Sequence, residues 1–204
     1  AKQASDYNNY IFLRDNHGGG ATANVPLKVN GPEVLIPASK AKLPLTIYAD
    51  ELSPASTPSG WMGNTKALTL DPQCATAPHS GKHSMKFEYT AADNWAGVAW
   101  QDPPSDWGDE PGGVDLSGAQ RMTFWARGEN GGEKIEFGLG IIKADKKYHD
   151  SASAKLELTL SKEWTQYVIE LKDKDLTRIK TALRFSLAGQ GKPVIFYVDD
   201  VVYE

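Results

Sequence analysis

The sequence predicts an all-β fold, a two-sheet antiparallel sandwich, and three observations carry that prediction. From Thr46 onward, short stretches alternate apolar and polar residues with period two. Clusters of Gly, Pro, Asn and Asp separate these stretches. Helical patterning is confined to one segment, Asp173 to Lys180, long enough for a single turn. Period-two alternation between turn residues is what half-buried antiparallel strands produce, because successive side chains point to opposite faces.

In chain order the alternating stretches are Thr46 to Leu52, Lys66 to Leu70, Ser84 to Thr90, Trp95 to Gln101, Arg121 to Arg127, Lys134 to Ile142, Lys155 to Leu160, Thr165 to Leu171, Ala182 to Leu187 and Val194 to Tyr203. Alternation points Met122, Phe124 and Ala126 inward and leaves Thr123, Trp125 and Arg127 outward. It does the same for Ile135, Phe137 and Leu139 against Glu136, Gly138 and Gly140, and for Leu183, Phe185 and Leu187 against Arg184 and Ser186. An outward set of Trp, Arg, Glu and Gly is unusual for a plain solvent surface. Mid-strand glycine costs stability and marks either the close approach of a ligand or a bulge. The first 45 residues differ: Asn16 to Gly20 is a glycine break, Lys28 to Glu33 reads as a turn, and Tyr10 to Leu13 and Glu33 to Ile36 fit short strands. Residues 1–45 therefore form an extension, a linker or extra strands, and residues 46–204 form the sandwich.

Composition narrows the function. Lys and Arg number 22 against 26 Asp and Glu, a formal net charge of −4. That balance disfavours nucleic acid and anionic membrane, which need a basic footprint. Trp supplies 6 of the aromatics beside 8 Tyr and 6 Phe, which points to a stacking surface. The single cysteine, Cys74, permits no internal disulfide and no zinc cluster. No run of 18 apolar residues exists to span a bilayer. Ala1-Lys2-Gln3 carries no charged-then-apolar leader, which leaves export and retention both open.

The stretches Ala77 to Lys86, Trp95 to Trp100, Trp107 to Asp109, Gly112 to Ala119 and Met122 to Gly128, with the ending Phe196 to Val201, resemble the galactose-binding-domain-like jelly rolls that serve as carbohydrate-binding modules. Such modules stand beside glycoside hydrolases in exported bacterial proteins. The resemblance covers Thr46 to Glu204. It implies a secreted or cell-surface, non-catalytic, monomeric module whose partners are carbohydrate and an attached hydrolase or surface protein. It also implies a structural calcium away from the sugar site, placed on Asp199 and, more loosely, on Asp50 and the Lys82 carbonyl.

Sugars present apolar C–H faces and rims of hydroxyls, so a site needs flat rings beside polar side chains. The candidates are Trp95, Trp100, Trp107 and Trp125 with Arg127, Glu136 and Arg184. Trp95 and Trp100 are five apart and fall on opposite faces of one strand, so only one of them is exposed. Trp95 and Trp107, at loop ends, are the favoured rings. A lyase reading would use Lys146, Lys147, Tyr148 and His149 as base and charge neutraliser. No constellation in the sequence meets the role tests of an active site, so binding is expected over catalysis, with a structural or adhesion domain as the third possibility.

Overall fold

The computed structural model describes the backbone of residues 5–14 and 20–29 and all of residues 35–204. It divides into two compact units, residues 1–35 and 36–204. In the first, β1 (Ser5–Arg14) pairs antiparallel with β2 (Gly20–Val29). The expected strand Tyr10 to Leu13 lies inside β1. The expected glycine break at 16–19, the turn residues 30–33, and residues 33 and 34 of the expected strand lie outside the described residues.

The second unit contains β3 (Ser39–Lys40), β4 (Leu45–Ala49), β5 (Glu51–Leu52), β6 (Thr57–Gly63), β7 (Leu68–Cys74), β8 (Ser84–Tyr89) and β9 (Trp95–Gln101). It continues with β10 (Val114–Asp115), β11 (Arg121–Gly128), β12 (Lys134–Leu139), β13 (Ala154–Thr159), β14 (Thr165–Glu170), β15 (Thr181–Ala188) and β16 (Val194–Tyr203). One sheet has five strands in the order β13-β12-β15-β9-β6. The other has seven, with β14, β11 and β16 in sequence. Two strands share the far edge of β16: β8 pairs along Val194 to Val198, and β4 along Val201 to Tyr203. β7 completes the sheet beside β8, and β5 beside β4.

Phenylalanines at the inward positions join the two sheets. Phe124 of β11 meets Phe137 of β12 at 4.8 Å between ring centroids, and Phe87 of β8 meets Phe185 of β15 edge-on at 4.7 Å. Such offset and edge-to-face pairs are the favoured aromatic geometries and fix the spacing of the layers. Met122, Phe124, Ala126, Ile135, Phe137, Leu139, Leu183, Phe185 and Leu187 all lie in the core, as alternation required.

Three elements depart from expectation. β6 carries Pro58, Gly60 and Gly63 and shows no alternation, yet it is a strand; it pairs only with β9 on the sheet edge, where proline's missing N–H is tolerated. The first expected strand breaks into β4 and β5 at Asp50, whose φ is +58. Asp173 to Lys180 does not form a helical turn. Asp175 Oδ1 caps the N–H and hydroxyl of Thr177, and the backbone of Leu176 and Ile179 bonds Leu116 and Val114 instead.

Candidate functional site

Register fixes what each sheet shows to solvent, since residues paired directly across an antiparallel ladder share a face. On the outer face of the five-stranded sheet Glu157, Glu136, Ser186, Gly97 and Met62 form one row. Lys155, Gly138, Arg184, Ala99 and Gly60 form the next. A groove of about 670 Å³ opens here, lined among others by Trp95, Lys134, Glu136, Glu157, Thr159 and Ser186. Trp95, 47% exposed, stands at its side. The preceding Asn94 adopts φ +67, and its Oδ1 accepts the Trp95 N–H at 2.8 Å. One edge of the indole lies against the backbone of Gly63, where a Cβ would sit 3.0 Å from Trp95 Cδ2. Only glycine permits that approach.

Glu136 and Glu157 lie directly opposite each other, which by itself is unfavourable for two like charges. Lys155 bridges them, 2.7 Å from Glu136 and 3.1 Å from Glu157, and Arg184 Nη1 reaches Glu136 at 2.7 Å. Burial pushes the Glu136 carboxyl up, but Lys155 and Arg184 outweigh it and hold it below the usual range. The Arg184 guanidinium lies 3.2 Å from where a Gly138 Cβ would be, so the mid-strand glycine makes room for this arginine and for the Ala154 carbonyl of β13. Glu136, Glu157, Lys155 and Arg184 thus balance one another in charge, and Glu136 and Arg184 set each other's direction.

At the other end of β9, Gln101 points outward by alternation yet is wholly buried. Loop 102–113 closes over it: Gln101 Nε2 donates to the Asp106 carbonyl at 2.9 Å, and Ser105 N–H donates to Ser59 Oγ at 2.8 Å. That loop carries Trp107, which is 37% exposed. Trp61 is also exposed, but it pairs with core-facing Val98 on edge strand β6 and sits on the rim.

The seven-stranded sheet holds Trp125 and Arg127 of the expected set, and this is the main correction. Trp125 and Arg127 lie on its outer face, on the far side of the sandwich from Glu136 and Arg184. The chain itself covers them. His79 stacks on Trp125 at 3.7 Å, Arg127 lies over the Tyr197 ring at 3.9 Å and the Trp164 ring at 5.4 Å, and Trp164 Nε1 donates to the Ala77 carbonyl at 3.0 Å. Trp100 is wholly buried in the core and offers no ring face to a ligand. Of the seven expected residues, Trp95, Glu136 and Arg184 share one face, and Trp107 stands on the loop that closes over Gln101 at its end. Lys134, Lys155, Glu157, Thr159 and Ser186 join the three on that face. The alternation of Lys155-Leu156-Glu157-Leu158-Thr159 carried that signal, and Lys134 and Ser186 fell on outward positions of stretches already assigned.

The residues expected to hold calcium, Asp50, Lys82 and Asp199, do come to one place, where β16 passes from β8 to β4 and the 79–83 loop bonds both acids. The loop turns N–H groups toward the acids: His79 and Ser80 donate to Asp199 Oδ2 at 3.0 and 3.3 Å, and Lys82 and His83 to Asp50 Oδ1 at 2.6 and 2.8 Å. His79 Nδ1 and Ser80 Oγ occupy Asp200 at 2.8 and 2.9 Å. Calcium requires six to eight oxygens. Lys82 meets Asp50 through its N–H, and among the described residues no three His, Cys, Asp or Glu side chains converge as ligands. The residues as placed do not fit calcium.

The lyase candidates are committed elsewhere. Tyr148 is buried, with Lys147, Arg178 and Lys180 at 5.0, 5.2 and 6.0 Å from its ring. Arg178 donates to the carbonyls of Gly112, at 2.7 Å, and Ile36, and His149 Nδ1 lies 3.1 Å from the Lys146 carbonyl. Arg178 and Lys180 hold loops together by bonding the carbonyls of Gly112, Ile36 and Glu110.

Comparison with known proteins agrees with this fold. The sequence model of carbohydrate binding domain 30 matches residues 45–204. The fold is similar to the family 30 carbohydrate-binding module of a cellulosomal cellulase of Clostridium thermocellum, at 16% identity and a TM-score of 0.56, covering 80% of this chain and 98% of that one. It is also similar to a family 11 module from the same organism, solved with a β-1,3-1,4-mixed-linked tetrasaccharide, at 15% identity and a TM-score of 0.52, covering 78% and 93%. No curated protein matches the sequence. With its sandwich matched from end to end, the chain belongs to carbohydrate-binding domain family 30 and is a non-catalytic carbohydrate-binding module.

Proposed function

We propose that the outer face of the five-stranded sheet is the carbohydrate site and that its ligand is a neutral β-glucan chain. The observation that carries this reading is Trp95, an exposed ring fixed at the side of a groove whose other wall is the Glu136–Lys155–Glu157 ladder. A ring of this kind stacks on the C–H face of a pyranose while carboxylate and guanidinium groups bond the hydroxyls. Lys155 and Arg184 are taken up by Glu136, which leaves little positive charge on this face for a uronate or a sulfate. The mixed-linked tetrasaccharide held by the family 11 module of similar fold supports β-glucan as the class. Like the family 30 module of a cellulosomal cellulase that it resembles, the chain is attached to a glycoside hydrolase. In this reading it acts as a monomer and holds an exported enzyme at its polysaccharide.

Calorimetry with mixed-linkage β-1,3-1,4-glucan and its tetrasaccharide tests the reading. Wild type binds and releases no reducing ends, and Trp95→Ala weakens binding about tenfold or more with the fold retained. Wild-type protein that binds neither probe, or Trp95→Ala that binds as wild type does, overturns it.

A further inference from the structure

The groove beside Trp95 runs on into a second cavity of about 530 Å³, and the two share Lys134 and Ala188 in their walls. Gly132, Gly189, Gln190 and Lys192 complete the second cavity, so among the described residues two lysines line it and no carboxylate does. Along the groove itself the cations are spent on acids, Lys155 on Glu136 and Glu157, and Arg184 on Glu136. Among the described residues neither Lys134 nor Lys192 has a carboxylate partner. Lys134 stands two residues from Glu136 on β12, about 7 Å farther along the strand.

Backbone and amide groups hold this cavity in shape, and its ammonium groups take no part. Gln190 joins loop 189–193 to the start of β12: its Oε1 accepts the Lys134 N–H and its Nε2 donates to the Lys134 carbonyl, each at 3.1 Å. The N–H groups of Gly189 and Gly191 donate to the carbonyls of Asn94 and Ala92 at 2.8 and 2.9 Å, which ties the same loop to the residue before Trp95. Gly189 lies close against Ala92, where a Cβ would sit 2.5 Å from the backbone. A Cβ on Gly132 would meet nothing within 4 Å, so the space over it is open. Two unspent positive charges are thus carried on a fixed frame at the end of the groove. Like charges on one cavity repel each other and gain from an anion bound near both. A carboxylate is the anion that a glucose unit gains by oxidation of its own carbons, and it accepts charge-assisted hydrogen bonds from ammonium groups. We propose that this cavity takes a carboxylate at the end of the bound glucan chain, with Lys134 and Lys192 as its partners. This rests on the reading of the five-stranded face as the glycan site and leaves the chain neutral along the Glu136 ladder.

Calorimetry on the full chain at low salt tests it with three probes. They are the mixed-linked β-1,3-1,4 tetrasaccharide, the same tetrasaccharide with its reducing end oxidised to an aldonate, and the same with a glucuronate as its non-reducing end. One acidic form should bind about fivefold more tightly than the neutral one, and which form does so identifies the source of the carboxylate. The gain should shrink below about twofold at 1 M salt, where the Debye length is about 3 Å. Lys192 is exposed on a loop, so its replacement keeps the fold. Lys192→Gln should remove most of the gain and leave affinity for the neutral probe unchanged, and Lys192→Glu should make the acidic form bind more weakly than the neutral one. Acidic forms that bind no more tightly than the neutral probe, or a gain that survives Lys192→Glu, overturn this inference and leave the glycan site standing. Wild-type protein that binds none of the three probes overturns the glycan site itself.

Discussion

The two outer faces of the sandwich are built from the same chemistry and present it in opposite ways. Each carries tryptophan, arginine and glutamate on outward strand positions. On the five-stranded face Trp95 borders an open groove and Arg184 lies flat beside Glu136. On the seven-stranded face the place a sugar would take on Trp125 is filled by His79, and Arg127 is spent on Tyr197 and Trp164. The difference comes from one loop. Residues 76–83 fold over the seven-stranded sheet because Asp50 and Asp199 accept their N–H groups and Asp200 bonds the Ser80 hydroxyl and the His79 ring. Nothing among the described residues covers the Trp95 groove in that way. Stacking chemistry is thus a ligand site where the chain leaves a ring uncovered, and a latch where it does not.

The largest effect is expected from breaking the latch. Asp199 is wholly buried, and burial first, then the charge of Asp200, raises its carboxyl pKa. A raised acid stabilises the native state below the unfolded pKa, and that contribution is lost as pH rises through the folded value. At neutral pH the bonds from His79 and Ser80 offset this cost. Asp199→Ala leaves those N–H groups without an acceptor and should lower stability by about 2–4 kcal/mol. Excess chelator should leave Tm unchanged, because a ligand of the native state alone is what a chelator would remove. A clear drop of Tm in chelator, restored by calcium, would reinstate the ion on Asp50 and Asp199.

The next effect separates the faces directly. Trp95→Ala should weaken glucan binding about tenfold with little change in Tm, while Trp125→Ala should lower Tm and leave glucan affinity within a factor of about two. The reverse pattern would exchange the roles assigned to the faces.

The sandwich was legible because alternation is a local property: every inward residue of β11, β12 and β15 could be read from neighbours two positions away. Half of the site was legible for the same reason, since Glu136, Arg184 and the end-of-strand Trp95 and Trp107 follow from strand position. Which sheet a strand joins is not local. Trp125 and Glu136 have the same outward pattern, and only the pairing of β11 with β14 and β16, and of β12 with β13 and β15, sends them to opposite faces. β6 was hidden because an edge strand can carry proline and glycine. The cover on Trp125 was hidden because it depends on a contact 46 residues away in sequence, from His79.

The smallest effect sharpens the description of the open face. Glu136 is pushed up by burial but held below the ordinary carboxylate range by Lys155 and Arg184, so its contribution is present above the ordinary value and is lost as pH falls through the folded one. Glucan affinity should stay flat as pH falls through the ordinary carboxylate range and decline only below it, where this carboxyl takes up a proton. Glu136→Gln should reproduce that decline at neutral pH, weakening binding about threefold, because a neutral amide no longer orients Arg184. Glu157 pairs with Lys155 in solvent, both side chains more than half exposed, and such pairs contribute little. Glu157→Gln should therefore change affinity by less than about twofold. Equal losses in the two variants, measured by calorimetry at one pH, would show that the ladder acts through its total charge. A loss confined to Glu136→Gln would place the recognition on the one carboxylate that Arg184 and Lys155 hold between them.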